Sequence, residues 1–345
     1  MYKVGICGHF AIGKNFADGQ TIKTRIIGNE IKSKLGSNNV KFVDTHMWRN
    51  NKLKLLTQFI SLCKESDKLI VLPDQNGVKA ILPLSVMLKI FKKYDIHYIV
   101  IGGWLPYMLS RNNILKYFIK KITAVHVETT TMKRQMQDLG FTNISIMANI
   151  KKLSVLSEND LVNEFKKPYK LCTFSRVVKE KGIEDICNAI QRINSRFDET
   201  LFTLDIYGQI DNNYEDYFFE YIKSLPDYIK YKGIVEQSES VSIVKQYLML
   251  VFPTLFKTEG IPGTIIDAYA SGVPVLASEW ESCHDIIDNN VTGIIYKFKD
   301  REELYNKLIY IANNIDEIIK MRKNCLNKSK LYLSDNVINE FIKIL

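Results

Sequence analysis

The densest group of chemically able side chains lies in VFPTLFKTEGIPGTIIDAYASG, from Val251 to Gly272. Glu259 stands at the edge of a Gly-Ile-Pro-Gly loop, and Asp267 follows eight positions later. Carboxylates accept hydrogen bonds from hydroxyls, and a vicinal diol offers two donors at a fixed separation. Between the acids, Gly260, Ile261, Pro262, Gly263 and Thr264 lead from a strand into a helix. The first N–H groups and positive dipole end of that helix suit a phosphate. The pattern fits a ligand with phosphates in its middle and polyols at both ends, such as a nucleotide sugar. A tight strand–loop–helix corner with capping acids is the alternative.

A second group lies in FSRVVKEKGIEDI, where Arg176 follows an apolar strand and Lys181 stands five positions on, before a glycine and a helix. Two cations at the mouth of a strand can neutralise a diphosphate leaving group, Arg by bidentate bonds and Lys as a point charge. A solvated turn is the plainer reading of the same pair. GHFAIGKNFADGQTIKT, near the N-terminus, is a glycine-containing loop with His9 and Gly13 between the first strand and the first helix. Phosphates dock at such loops in α/β folds, although this one does not fit G-x-G-x-x-G.

These residues need a frame to hold them. KVGIC, VKFVDT, KLIVLPD, IHYIVIGG, AVHVET and ISIMAN read as strands, with helical patterns between them. KAILPLSVMLKIFKKYD reads as mostly helical. IKKLSVLSENDLVNEFKKPYK is polar and without period, and predicts an interdomain linker. Beyond it KLCTFSR, FTLDIYG, IKYKGIV, MLVFPTL, PVLAS and GIIYK are strands separated by helical stretches, and the last fifty residues are helical. Such alternation predicts parallel sheets covered by helices, so the fold class is α/β with two doubly wound domains in tandem. The expected divisions are 1–165, 166–330, and a C-terminal helix over 331–345 crossing back to the first domain. In such sheets ligands sit at the carboxyl ends of the strands.

Together SRVVKEKGIEDI and EGIPGTIIDAYASGVPVLAS resemble the donor-binding signatures of GT-B glycosyltransferases, in particular the retaining family 4 (glycosyl transferases group 1). The resemblance extends over most of the chain and is strongest from Leu171 to Gly293. It implies two Rossmann-like domains facing a central cleft, the first binding the acceptor and the second the nucleotide-sugar donor. It implies that Arg176 and Lys181 hold the donor diphosphate and that Glu259 contacts the transferred sugar. Asp267, where the family usually has Glu, would bind the ribose. The backbone of Gly260, Ile261, Pro262 and Gly263, with Thr264, would line sugar and phosphate, and Gly13 would join the donor side. Gly208 would approach the base, and ISIMANIKK, with Asn149, resembles the segment that closes the first domain. Family members often carry a His that meets the transferred sugar; here Gly103 and Trp104 occupy that place, and His9 is a further cleft candidate. His97 and His126 read as core residues, and Glu128 as a strand-end acid facing the cleft.

The resemblance implies transfer of a hexose-type sugar from a UDP-sugar or GDP-sugar, UDP favoured, to a hydroxyl of a glycan or lipid-linked acceptor with retained configuration. Retaining members lack an evident protein nucleophile, so a front-face route follows, with the departing phosphate helping to deprotonate the acceptor. Cations stand where a DxD pair would otherwise be needed, so no metal and no cofactor beyond the donor are expected. A catalytically silent GT-B partner subunit and a sugar-nucleotide epimerase are the alternatives. Bacterial surface polysaccharide assembly is the expected setting.

Composition bears on partners. The chain of 345 residues is 46% hydrophobic, enough for sizeable cores in two domains. Residues 1–150 carry 22 Lys and Arg against 9 Asp and Glu, a formal +13, whereas the remainder carries 25 against 29, a formal −4. MWRNNKLKLLTQF, MLKIFKKY and ILKYFIKKI interleave lysines with apolar residues, and such faces suit an anionic membrane surface. Ordinary surface helices are the plainer reading. No nucleic-acid module accompanies the charge. Six scattered cysteines predict free thiols in a reducing compartment. No apolar run is long enough to span a bilayer. The expected location is cytoplasmic, with peripheral association at the inner face of the membrane.

Overall fold

The computed structural model describes residues 3–14, 19–46, 48 and 51–345. Part of the GHFAIGKNFADGQTIKT loop and the start of MWRNNKLKLLTQF lie outside them. The chain divides into two compact units: Met1–Lys152 with Tyr332–Leu345, and Leu153–Leu331.

The first unit is built from β1 (Val4–Gly8), α1 (Gly19–Leu35), β2 (Val40–Asp44), α2 (Lys52–Glu65), β3 (Lys68–Leu72), α3 (Val78–Leu88), β4 (Asp95–Ile99), α4 (Leu105–Ser110), α5 (Asn113–Ile119), β5 (Ala124–Val127), α6 (Thr130–Asp138) and β6 (Ile144–Ile146). Its sheet runs β2-β1-β3-β4-β5-β6, all parallel. Apolar residues fill both faces, as a parallel sheet requires. Leu69, Val71, Tyr98 and Val125 pack on one face, and Val4, Ile6, Ile70 and Ile99 on the other.

The second unit continues with β7 (Tyr169–Phe174), α7 (Ile183–Phe197), β8 (Phe202–Tyr207), α8 (Glu215–Lys223), β9 (Ile229–Gly233), α9 (Ser240–Val244), β10 (Met249–Phe252), α10 (Gly263–Ala270), β11 (Val275–Ser278), α11 (Cys283–Ile286), β12 (Gly293–Tyr296), α12 (Arg301–Asn313) and α13 (Ile315–Ser329). Its sheet order is β12-β11-β10-β7-β8-β9, again parallel. Helix α7 shows why these stretches are helices: Ile183, Ile186, Cys187, Ile190 and Ile193 recur at helical spacing and are all buried. The last helix, α14 (Ser334–Ile344), returns to the first unit, where Ile338, Phe341 and Leu345 join the core containing Ile27 and Ile31 of α1.

Two sequence expectations need correction. The division falls after Lys152, not after residue 165, and again after Leu331. The polar stretch read as a linker is anchored within the second unit. Leu161 fills the notch over Gly272, where a Cβ would lie 2.2 Å from its Cδ2. Phe165 lies 5.1 Å below the buried guanidinium of Arg322, which donates to the carbonyls of Lys245 and Tyr247. KAILPLSVMLKIFKKYD is mostly helical as expected, with α3 ending at Leu88 and Lys89–Phe91 forming a hydrogen-bonded turn. A short helix, α4, was not anticipated, because Pro106 reads as a breaker although proline is tolerated in a first helical turn.

Candidate functional site

Strand order locates a ligand site in the second unit. β7 and β10 are neighbours whose following connections diverge, and ligands of doubly wound sheets bind at such switch points. Arg176 and Lys181 follow β7, and Glu259 follows β10.

The two loops are knitted together by close backbone approach. Gly182 closes the turn after Lys181 with φ +67°, and a Cβ there would sit 2.0 Å from the Pro253 carbonyl oxygen. Only glycine fits both conditions. The Leu255 N–H donates to the Glu180 carbonyl at 2.7 Å. On the other side, Gly208 ends β8 with φ +134°, and a Cβ there would lie 1.8 Å from the Ser175 carbonyl oxygen. The N–H of Ser175 donates to Tyr207 and that of Val177 to Gln209, so the backbone flanking Arg176 is fixed on both sides.

Lys181 and Glu259 meet inside this frame. The Lys181 ammonium donates to Glu259 Oε1 and lies 4.9 Å from the Phe252 ring centroid and 5.3 Å from that of Phe256. Both aromatic faces reinforce the cation's position. Thr254 Oγ1 donates to the same Glu259 oxygen at 2.9 Å, and its own carbonyl accepts from Ser278. Both donors land on Oε1, which leaves Oε2 without a hydrogen-bond partner among the described residues. The pair is 15% and 17% exposed, shielded from water but reachable. Arg176 is exposed, and its guanidinium makes no ion pair or hydrogen bond among the described residues.

Helix α10 begins beside this pair in sequence and carries no side-chain cap at Pro262. The N–H groups of Gly263 and Thr264 therefore remain available to an anion, whereas that of Ile265 donates to the Pro262 carbonyl. Ile261 is buried, Gly263 and Thr264 are half-buried, and Thr264 Oγ1 is shielded with no hydrogen-bond partner. Asp267 sits deeper: it is 2% exposed and accepts from Ser240 Oγ at 3.1 Å, tying α10 to α9. Its position in the second turn of a buried helix face turns it inward. The loops carrying Arg176, Lys181 and Glu259 are thus joined by close contacts, Gly208 abuts the first of them, and α10 follows Glu259 in sequence.

In the first unit the candidates do other work. The N–H groups of Phe10, Ala11 and Ile12 converge on the Asp44 carboxylate at 3.0–3.2 Å, as does that of His46. Burial raises this carboxyl, but the four donors outweigh it and hold it below the usual carboxylate range. Arg25 ties the carbonyls of Phe10, Ala11 and Lys14. The N–H groups of Phe10, Ala11 and Ile12 therefore serve a carboxylate, and residues 15–18 of this loop lie outside the described residues. Gly13 follows with φ +76° and open space around it. His9 bonds Thr21 Oγ1 at 2.8 Å and His46 Nδ1 at 3.1 Å.

Glu128 does not face open space. It is 2% exposed, bonds Lys23 at 2.7 Å, and accepts from the Gly102 N–H at 3.2 Å. A strand-end acid looked accessible because its partner lies 105 positions earlier. Gly103 is buried, and Trp104 donates to the Ile101 carbonyl at 2.8 Å while packing on the core. His97 and His126 are core residues, stacked at 5.3 Å with ring nitrogens 3.1 Å apart. Burial pushes them down to about 4 and about 3, so both are neutral.

Sequence reasoning missed Thr254, Phe252 and Phe256 as a setting for Lys181. An aromatic on each side of a proline–threonine pair after an apolar strand was the available signal. His46 and Asp44 were also missed, since only the fold brings β2 beside the loop after β1.

Residues 168–314 match the family described as glycosyl transferases group 1. An uncharacterized glycosyltransferase of Methanocaldococcus jannaschii is 23% identical over 189 residues, 54% of this chain and 46% of the relative. The GtfA subunit of a Streptococcus gordonii UDP-N-acetylglucosamine–peptide N-acetylglucosaminyltransferase is 25% identical over 240 residues, 66% of this chain and 45% of the relative. The matches thus span a little under half the length of these curated relatives. Among solved structures, Anabaena Alr3699/HepE, crystallised with UDP and glucose, superposes with a TM-score of 0.76 at 13% identity, covering 100% of this chain and 99% of the other. No helix among the described residues is long and apolar enough to cross a membrane. The chain therefore has the GT-B fold, and its segment 168–314 is similar to the glycosyl transferases group 1.

Proposed function

We propose that the chain is a retaining glycosyltransferase that moves a hexose-type sugar from a nucleoside-diphosphate sugar to a hydroxyl. The observation that carries this reading is the Lys181–Glu259 pair, held between aromatic rings beside the uncapped start of α10 and the unpaired Arg176. Arg176, Lys181 and the α10 N–H groups would take the donor diphosphate, with the Gly260–Gly263 backbone against it. Glu259 Oε2 would accept from sugar hydroxyls. As the bond to the sugar breaks, negative charge builds on the departing phosphate, where these cations stabilise it without a metal. That phosphate would relieve the acceptor hydroxyl of its proton. Gly208 would bring backbone to the base, and Asp267, through its tie to Ser240, would position α10 for the ribose.

UDP is favoured as the donor base, since the GtfA relative is named for a UDP-sugar and the Anabaena structure holds UDP. The acceptor would be a glycan or a lipid-linked saccharide of bacterial polysaccharide assembly. The basic first unit would then rest on the anionic inner face of the membrane, in the cytoplasm.

The test is thermal stabilisation by UDP, UDP-sugars and GDP-mannose in wild type, Arg176→Ala and Glu259→Ala. A ligand at a hundred times its Kd should add about 2.7 kcal/mol of stability. We expect a clear shift with one nucleotide class, lost in Arg176→Ala. No shift with any nucleotide would overturn the reading.

A further inference from the structure

We propose that the turn after α3, Lys89–Lys93, docks on an anionic lipid bilayer, with Ile90 and Phe91 entering the headgroup region and Lys89 and Lys93 holding lipid phosphate. It rests on the proposed lipid-linked acceptor for its purpose, and names the place on the first unit that would meet the membrane.

The turn presents large apolar side chains to solvent. Ile90 is 83% exposed, Phe91 75% and Met87 57%. Contiguous apolar exposure of this kind marks an interaction surface. The backbone is already ordered: the N–H of Ile90 donates to Met87 and that of Phe91 to Leu88. Tyr94 Oη donates to the Ser85 carbonyl at 2.6 Å beneath it, and Lys92 ties it to the Ser66 carbonyl at 2.8 Å. The apolar tips are therefore held out rather than folded back.

Charge complementarity selects the occupant. Residues 77–123 contain eight Lys or Arg and one acid, Asp95. An open cavity of about 690 Å³ adjoins the turn, lined by Asp67, Lys68, Lys89, Lys93, Tyr94 and Asp95. Its two acids are already paired, Asp67 with Lys92 at 3.0 Å and Asp95 with Lys68 at 2.5 Å. Lys89 and Lys93 carry no ion pair among the described residues, which leaves a surplus of positive charge at the cavity. Helix α5 packs against α3 and adds Tyr117, 59% exposed, with the Lys121 ammonium 5.4 Å from its ring centroid. Cations interleaved with aromatic and aliphatic tips match the interface of an anionic bilayer, where acyl chains lie just beneath phosphates.

The experiment is sedimentation of the full chain with vesicles of phosphatidylcholine alone and of phosphatidylcholine mixed with phosphatidylglycerol, without nucleotide. Two variants accompany it, Ile90→Ser with Phe91→Ser, and Lys89→Ser with Lys93→Ser. UDP binding and thermal unfolding are read on every sample, so a misfolded variant or a failed donor site is recognised separately. We expect wild type to partition onto the anionic vesicles only. Each surface lysine contributes about fivefold, so the lysine pair should weaken partition about thirtyfold, and the apolar pair should weaken it roughly tenfold or more. Equal partition of wild type onto both vesicles, or none onto either, would overturn the proposal. So would undiminished binding of folded variants, or displacement from the vesicles by millimolar inorganic phosphate, which would mark a site for free phosphate.

Discussion

Gly182→Ala is the sharpest probe of the candidate site, because the substituted atom touches no ligand. At φ +67° an alanine costs about 1–2 kcal/mol in backbone strain. Its Cβ would start 2.0 Å from the Pro253 carbonyl oxygen, so the backbone must part by more than an ångström to reach ordinary contact. The Leu255–Glu180 hydrogen bond, 2.7 Å long, opposes that movement and would be lost, at about 1 kcal/mol. The total is about 2–3 kcal/mol, which for a unit of this size lowers Tm by roughly 4–12 °C. Pro253 precedes Thr254, whose hydroxyl holds Glu259, so the shift also pulls Glu259 from Lys181. Calorimetry of unfolding and titration calorimetry with a UDP-sugar should show both effects, with donor affinity falling roughly tenfold or more. Gly36→Ala is the control: φ is +87°, but the nearest atom to its Cβ is an Asn39 side-chain nitrogen at 3.5 Å. It should lower Tm through strain alone and leave donor binding intact. Wild-type Tm and affinity in Gly182→Ala would refute the idea that these two loops are pressed into one site.

Other outcomes follow from the same geometry. Glu259→Gln should leave UDP affinity within about threefold of wild type while weakening a UDP-sugar roughly tenfold by titration calorimetry, as the proposed division between a sugar-binding carboxylate and phosphate-binding cations requires; equal loss for both would contradict that split. Glu128→Ala strands the buried Lys23 ammonium and should cost about 3–5 kcal/mol in urea unfolding, whereas an exposed ion pair such as Arg192–Glu302 should cost under about 1 kcal/mol. His97 and His126 are depressed to about 4 and about 3, so the unfolded chain binds protons that the folded chain refuses. Stability from this pair is complete above the unfolded value of 6.5 and falls as pH drops toward 4, by up to about 1.4 kcal/mol per pH unit for each ring. Urea unfolding of His97→Gln with His126→Gln should show a flatter pH slope across that window, and an unchanged slope would refute the assignment.

What could be read without coordinates follows from the range of the interactions. Alternating apolar and amphipathic stretches report local periodicity, so twelve strands in two parallel sheets came through. Arg176, Lys181 and Glu259 were legible because short loops after strands carry them at fixed spacing. The burial of Glu128 was not, because its counter-ion, Lys23 of α1, stands 105 positions earlier. Nor was the inward turn of Asp267, which depends on Ser240 from another helix. The segment 150–170 looked like a free connector since its anchors, Leu161 and Phe165, are isolated apolar residues in a polar run and show no period.

The return of α14 has a consequence for how the chain is made. The first unit is discontinuous: its apolar faces on α1 await Ile338 and Phe341, which emerge from the ribosome only after the whole second unit. At ordinary elongation rates the 179 residues of Leu153–Leu331 take on the order of 10–35 s. Throughout that interval Ile27 and Ile31 lack the part of their cover that α14 supplies, so the second unit, although later in sequence, is the first that can be completed.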